Sequence, residues 1–306
     1  MAEFAGDYDL QYVHIRNHRG EGLQDTDGEN ISDMVVELNI YEGLYNHAIT
    51  GSLVIADTRN LISNLPIQGT ERLSFRLATK LDSYSHEDSI DFTEATGNPM
   101  HVYKLTNKEQ PNDTTQTYTL HFCSREFLRN MRTKVSKSYT GRMDEAVNSI
   151  FKDSEYLDSK KKLFFQKTRN QDKVVIPNMT PIDAIKMLGK RSLPSNVNNS
   201  GGAGYLFYET TKGFHFRSFE SLCVTKNGEQ VKAKQKFRYI YVPVDRFGHE
   251  VLDDKGKKLD RIMEGFQSVE SYKFLNNFHD VAVNTMLGTY GHTVITHNLY
   301  NKSYKK

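Results

Sequence analysis

Between Asp33 and Leu77 the apolar residues fall into alternating runs. In the first, Met34, Val36, Leu38 and Ile40 share one face, while Val35, Glu37, Asn39 and Tyr41 share the other. A period of two predicts a half-buried strand. A turn follows at Glu42 to Asn46, where Gly43 can take a positive φ. The return strand has Ile49, Gly51, Leu53 and Ile55 on one face; a glycine inside such a run predicts a bulge or a close approach of backbone. Asp57 or Thr58 can then cap a short helical turn that Pro66 and Gly69 end. A third run sets Leu73, Phe75 and Leu77 against Arg72, Ser74 and Arg76. Strands of this kind, joined by turns, build an antiparallel sheet with one dry face.

The flanking segments extend that sheet. An edge strand is predicted near Leu10 to Arg16, followed by a polar, Gly-rich loop. Asp25, Asp27 and Glu29 in that loop resemble a calcium loop, but the sixth position from Asp25 holds Asn30 where that pattern needs glycine, so a solvated turn is the expectation. After Leu77 a hydrophilic insertion extends the sheet edge or projects from it. His101 to Leu105 and Thr117 to Phe122 alternate again across a polar hairpin connection. Residues 1–123 are therefore expected to form a small antiparallel barrel or curled sheet of about six or seven strands.

The period changes at Ser124. Phe127, Leu128, Met131 and Val135 have helical spacing, with Ser124 placed to cap. Met143, Ala146, Val147, Ile150 and Phe151 form the apolar stripe of a second helix. Leu163 to Gln166 reads as extended. Thr180 caps a further helix with Pro181 at its first position and Asp183 as box partner; Ile182, Ile185 and Leu188 form its buried stripe. Residues 124–200 are expected to be a small helical domain. A Gly- and Asn-rich connection leads to an aromatic hairpin, Tyr205 to Glu209 and Phe214 to Phe219. Phe237 to Tyr241, Phe266 to Phe274, Val281 to Leu287 and His292 to Leu299 are expected as further strands. Residues 201–245 and 281–306 are thus assigned to a second β unit, with 246–280 as an inserted subdomain; the chain stops at Lys306 before that unit looks closed.

Composition narrows the functional classes. The 306 residues carry a formal charge of +2, which gives no reason to expect nucleic-acid or anionic-membrane binding. Hydrophobic residues make up 37%, low for a large independent core, which points to domains that lean on partners. No apolar run approaches the ~18 residues of a membrane helix, so no membrane insertion is expected, and from its acidic, polar start no secretory signal is expected either. Cys123 and Cys223 both sit among apolar residues and are expected as buried thiols.

Catalytic motifs are missing. There is no nucleophile elbow, phosphate-binding loop, dinucleotide fingerprint, HExxH or paired-cysteine zinc spacing. Gly201 to Gly204 precedes a strand and reads as a linker; His86, Glu87 and Asp88 cluster in a polar insertion; His292 and His297 lack a third ligand. A glycosidase needs two carboxylates roughly 5–10 Å apart around a cleft, and no pair is singled out. The Lys160-Lys161-Lys162 run reads as a solvated face. No catalytic, cofactor or metal site is expected, and the chain is read as a non-enzyme. Leu44, Tyr45 and Leu65 are apolar residues at turns. Either they form an interface with a partner or they fold back onto their own sheet.

The order of these features resembles the baseplate hub subunit of T-even-like contractile phage tails. It has a first strand, the Leu44-Tyr45 turn, a return strand with Gly51 ending at Asp57, a helical step at Leu61-Ile62, and Gly69-Thr70-Glu71 before the next strand. The runs FCSREFLRNMRTKVSKSY, DEAVNSIFKD and NMTPIDAIKMLGKRS resemble the helical domain between that family's two barrels, and GAGYLFYETTKGFHFRSFESL the hairpin opening its second. The resemblance extends to the wider hub group of tail and type VI secretion spikes. It implies a mainly β (α+β) fold, two tail-tube-like antiparallel β-barrel domains with the small helical domain between them, the second barrel incomplete here. It further implies a structural homotrimer whose pseudo-sixfold ring adapts a sixfold tail tube to a threefold spike. Its partners would be the central spike protein, tube or tube-initiator proteins and the tape measure protein, with DNA passing through the channel without specific binding and no cofactor. The implied location is the virion. A cell-wall hydrolase at the tail tip and a nucleic-acid-binding module are the alternatives.

Overall fold

The computed structural model describes residues 8–19, 30–64, 67–79, 89–169, 171–195, 204–223, 273, 281–286, 293 and 295–305. The chain divides into two units, Met1–Lys234 and Gln235–Lys306. The described residues are mainly β.

The first unit opens with a sheet of seven strands: β1 (Tyr8–Arg16), β2 (Val35–Tyr41), β3 (Thr50–Asp57), β4 (Arg72–Thr79), β5 (Ile90–Phe92), β6 (Met100–Asn112) and β7 (Thr115–Cys123). The order is β1-β4-β6-β7-β3-β2 with β5 on β4, and every pairing is antiparallel. Val13, Leu53, Ile55, Leu73, Phe75, Leu120 and Phe122 fill its dry face, each at most 1% exposed. Phe75 meets Phe92 and Phe122 edge-on at 5.3 and 5.5 Å, the arrangement ring quadrupoles favour.

The sheet is open where a barrel was expected: among the described residues no ladder joins β1 to β2. The reason lies at the outer edge of β1. There the Asn30 side chain stands in for a neighbouring strand. Its Oδ1 accepts the Val13 N–H at 2.8 Å, its amide donates to the Gln11 carbonyl at 3.3 Å, and the Ile31 N–H reaches the Val13 carbonyl at 2.9 Å. An amide plug satisfies the edge without closing the ring. Asn30→Ala is expected to cost about 1–2 kcal/mol. Amide hydrogen exchange at Val13 should then accelerate by roughly 5–30-fold.

Two phases differ from expectation. A register shift between Val35 and Glu37 reverses the facing of the start of β2. Val35 therefore packs on the core and Val36 is 65% exposed, while Leu38 and Ile40 face inward. Met34 is buried from a 3-10 turn, Ser32–Met34. The Gly43 backbone is not in the positive-φ region, which Gly69 does occupy, at +87°. Asp57 is buried and accepts the Arg59 N–H at 3.0 Å and that of Ile62 at 3.4 Å, holding α1 (Leu61–Asn64).

The rest of the unit contains α2 (Arg125–Arg132), β8 (Val135–Arg142), α3 (Met143–Lys152), β9 (Leu163–Phe165), β10 (Gln171–Met179), α4 (Pro181–Arg191), β11 (Tyr205–Thr210), β12 (Gly213–Ser218) and α5 (Phe219–Cys223). Thr180 caps α4 as expected, accepting the Asp183 N–H at 3.3 Å while its hydroxyl donates to Asp183 Oδ2 at 2.6 Å. Ser124 occupies the N-cap of α2 but makes no side-chain capping bond. Val135 does not extend that helix; it is the buried first residue of β8, which pairs with β10. The segment is thus not purely helical. β12 pairs antiparallel with β11 and parallel with β9. Phe207, Phe214 and Phe216 share one core with Val147, Ile150, Ile185 and Leu188 of α3 and α4.

In the second unit, Val281–Met286 is a helix, where a strand was expected. An apolar run this short does not distinguish strand from helix by its pattern; in the helix Thr285 Oγ1 donates back to the Val281 carbonyl at 2.7 Å. Thr296–Asn298 and Ser303–Lys305 pair as a short hairpin. The strands expected at Phe237 to Tyr241 and Phe266 to Phe274 lie outside the described residues, apart from Lys273, as do Asp25, Asp27 and Glu29, the His86–Asp88 cluster, the Gly201–Ala203 run and His292. The side chain of Cys223 is likewise not described; Cys123 is a buried free thiol.

Candidate functional site

Two places in the first unit gather side chains that demand explanation. One is the β2–β3 turn. Leu44 is 39% and Tyr45 80% exposed. The turn is nevertheless held. Asn46 N–H donates to the Gly43 carbonyl at 3.1 Å, and the Glu42 carboxylate accepts the backbone N–H of Thr211, from the β11–β12 turn. Val36 and Tyr41 on β2, an edge strand of the sheet among the described residues, add two more exposed apolar side chains, at 65% and 52%. Leu65 lies outside the described residues, so of the three turn residues only Leu44 and Tyr45 are placed together.

Further along, Gly69-Thr70-Glu71 has a plain physical role. Glu71 is 2% exposed, and its carboxylate folds back to accept three N–H groups, Gln68 at 2.6, Gly69 at 2.8 and Thr70 at 2.9 Å. Charge-assisted bonds of this sort replace the water a buried carboxylate gives up. Gly69 supplies the positive φ that lets three successive N–H groups converge.

The second place is a buried ionic triad that joins the sheet to the α/β segment. Lys161 Nζ donates to Glu126 Oε2 at 3.1 Å and to Glu209 Oε1 at 2.6 Å. Ser159 Oγ donates to Glu126 Oε1 at 2.5 Å. The remaining Glu209 oxygen accepts the N–H of Ile49, beside β3, at 2.7 Å, and the Ile49 carbonyl accepts the Ser124 N–H at 3.0 Å. The side chains of Glu126, Glu209 and Lys161 are 2%, 1% and 9% exposed. Lys152 Nζ donates to the carbonyls of Ser159 and Lys161 at 3.0 and 2.8 Å, fixing the loop that carries Lys161.

The electrostatics are uneven. Burial alone would raise the Glu126 carboxyl, but the Lys161 ammonium and the Ser159 hydroxyl bring it below the ordinary range. Burial pushes Glu209 up; Lys161 pulls it back only in part, and the charge of Glu126 adds to the rise. Burial disfavours the Lys161 ammonium, but the two carboxylates more than restore it. Burial, with Glu209 next, drives the nearby Cys123 thiol up to about 12. A thiol so protonated is no nucleophile at neutral pH.

Every carboxylate oxygen of the triad is engaged, which leaves it suited to holding elements together, not to attacking a substrate. Among the described residues no group of three His, Cys, Asp or Glu side chains is placed to hold a metal ion. No described helix is long and apolar enough to cross a membrane. Nothing in the local pattern marked the triad. The one available signal is that Glu209 shares its period-two face with Phe207, which is buried.

No protein-family model matches the chain, and no curated protein sequence matches it. Among solved structures the fold is similar to a tail protein from Neisseria meningitidis MC58, at 10% identity and TM-score 0.41, over 69% of this chain and 50% of that one. It is similar to the prophage tail protein gp18 from Listeria monocytogenes EGD-e, at 12% identity and TM-score 0.41, over 78% and 65%. It is also similar to a chain of the Francisella PdpA-VgrG complex, at 10% identity and TM-score 0.44, over 78% and 32%. The chain spans about half the length of the Neisseria protein it matches. At such identities and TM-scores these likenesses establish neither family nor function.

Proposed function

We propose that the chain is a structural, non-enzymatic hub subunit of a contractile phage tail baseplate. It would assemble as a homotrimer between the tail tube and the central spike and surround a channel for the tape measure protein and DNA. The observation that carries this reading is the β2–β3 turn. Leu44 and Tyr45 stand exposed on a turn that is hydrogen-bonded into place, beside an edge strand whose Val36 and Tyr41 are also bare. Apolar side chains on a fixed turn gain little from water and much from a second surface. A sheet whose β2 is an edge strand among the described residues offers the same invitation through its backbone. The order of features along the chain, from the Leu44-Tyr45 turn through Gly51 to Gly69-Thr70-Glu71, supports the hub assignment over other tail components. The function needs no cofactor.

The test is assembly. The full chain, measured by mass photometry alone and with a spike protein of the same particle, is expected to form a trimer. Leu44→Asp with Tyr45→Asp should abolish the trimer while circular dichroism and the melting midpoint stay unchanged. A chain that remains monomeric with the spike partner present, or a variant that assembles as well as the parent, overturns the reading.

A further inference from the structure

The run Lys160-Lys161-Lys162, expected as one solvated face, is split by the fold. Lys161 is engaged inside the triad, while Lys160 and Lys162 on either side of it are exposed. Together with Lys212, from the β11–β12 turn, they line a cleft of about 320 Å³ that residues 96–98 of the N-terminal sheet also border. We propose that this cleft binds a compact, multiply charged phosphate, a phosphomonoester or pyrophosphate, through the ammonium groups of Lys160, Lys162 and Lys212. The inference is independent of the proposed tail function.

The backbone brings the three lysines together. Gly213 lies so close to the 160–162 loop that a Cβ would stand 2.5 Å from the Lys162 carbonyl oxygen, and its φ is +131°. A glycine lets the β11–β12 turn close on this loop, and the Phe214 N–H donates to the same carbonyl at 2.9 Å. Lys212 is thereby carried beside Lys162. Lys160 is fixed from its other side, because Lys152 Nζ donates to the carbonyls of both its neighbours, Ser159 and Lys161, at 3.0 and 2.8 Å.

The charge gathered there is uncompensated. Among the described residues none of the three ammonium groups has a carboxylate within ion-pair distance, since the nearby acids are committed elsewhere. Asp158, which feels the charge of Lys160, is bound to Arg125 Nη2 at 2.7 Å. Glu209, on the cleft wall, is engaged by Lys161 and by the Ile49 N–H. The Glu42 carboxylate accepts the Thr211 N–H. Lys162 Nζ stands 4.6 Å from the centroid of the Phe164 ring, a contact that orients it and leaves its charge in place. Three positive charges thus meet at one recess of a chain whose whole formal charge is +2. Like charges held in a recess focus the field and draw an anion into it.

The lining selects the anion. A single carboxylate would answer one ammonium, whereas a phosphomonoester or pyrophosphate answers several and presents oxygens on more than one side. The Asn98 amide and the Thr211 hydroxyl line the same cleft and make no side-chain hydrogen bond among the described residues, so they supply uncharged donors. The volume sits at the lower end of small-ligand clefts, roughly 300–1,000 Å³, too small for an extended acidic peptide. A nucleic-acid strand would bring bases that need a stacking ring. Phe92, the aromatic residue on this wall, is 3% exposed and packed on Phe75.

The test is calorimetric titration of the full chain with pyrophosphate at fixed ionic strength. One saturable site with a Kd below about 1 mM is expected. Lys160→Gln, Lys162→Gln and Lys212→Gln together should weaken it by roughly tenfold or more. Asn98→Ala with Thr211→Val, which leaves the charge alone, should weaken it by roughly threefold or more. Lys134→Gln, Lys137→Gln and Lys173→Gln, which remove the same charge at β8 and β10, should leave it unchanged. No saturable binding by the parent, equal weakening by the two lysine triplets, or no effect of the Asn98 and Thr211 pair overturns the inference. So does an oligothymidylate without terminal phosphates that displaces pyrophosphate at equal phosphate concentration. If the first triplet fails to fold, amide shifts in the parent decide: pyrophosphate should move residues 96–98 and 210–213 and spare 134–140, and shifts without that localisation overturn the site.

Discussion

Gly51→Ala is expected to unfold the N-terminal sheet or leave it unable to assemble, with a loss of more than about 3 kcal/mol. A Cβ at this position would lie 2.2 Å from Phe122 Cζ and 2.3 Å from the Asn39 carbonyl oxygen. The ring has nowhere to go, since Phe122 is 0% exposed and packs edge-on against Phe75. The carbonyl is fixed as well, because β2 and β3 run in unbroken register from Glu37 to Tyr41. Urea unfolding followed by circular dichroism measures the loss. Phe122→Leu added to Gly51→Ala should recover only part of it, because the ring clash is relieved and the carbonyl clash is not. A Gly51→Ala chain as stable as the parent would mean that the strand pair can spread, contrary to this packing.

Lys161→Met is expected to cost about 3–5 kcal/mol, because it strands two buried carboxylates. The loss comes less from the missing bonds than from the charge left behind. Glu126→Gln and Glu209→Gln introduced together with Lys161→Met should therefore recover much of it. Urea midpoints of the single and triple variants provide the comparison. A loss below about 1 kcal/mol for Lys161→Met would place the triad with solvent-exposed ion pairs.

How much of this was legible in the sequence depended on whether a signal was local. The strands from Val35 to Leu77 showed themselves because each places its apolar residues on one face of a shared sheet. The closeness at Gly51 was visible too, since a strand gives up a side chain only where something else fills the space. The Thr180-Pro181-Asp183 cap is local and was read correctly. Val36 was assigned to the wrong face because a bulge is a property of two strands, and one strand's pattern cannot show it. β8 and β10 carry too few buried residues for their pattern to show: Val135 is the one buried residue of β8, and in β10 Val174 and Ile176 alone are buried, with Val175 between them 66% exposed. The triad was invisible for a different reason. Its members lie 35 and 48 residues apart, and its lysine is the middle one of three, the outer two of which border solvent. Burial of a single charge within a charged run is decided by tertiary packing alone.

The bond from Ile49 to Glu209 also orders events on the ribosome. The whole of the first sheet, through Cys123, is synthesised long before Glu209 leaves the exit tunnel. Until then Ile49 lacks its acceptor, Lys161 lacks one of its acids, and β9 lacks the parallel neighbour that arrives with Phe214. A nascent chain halted before that point lacks the acceptor of Ile49, so a late segment of this polypeptide completes contacts of the part synthesised first.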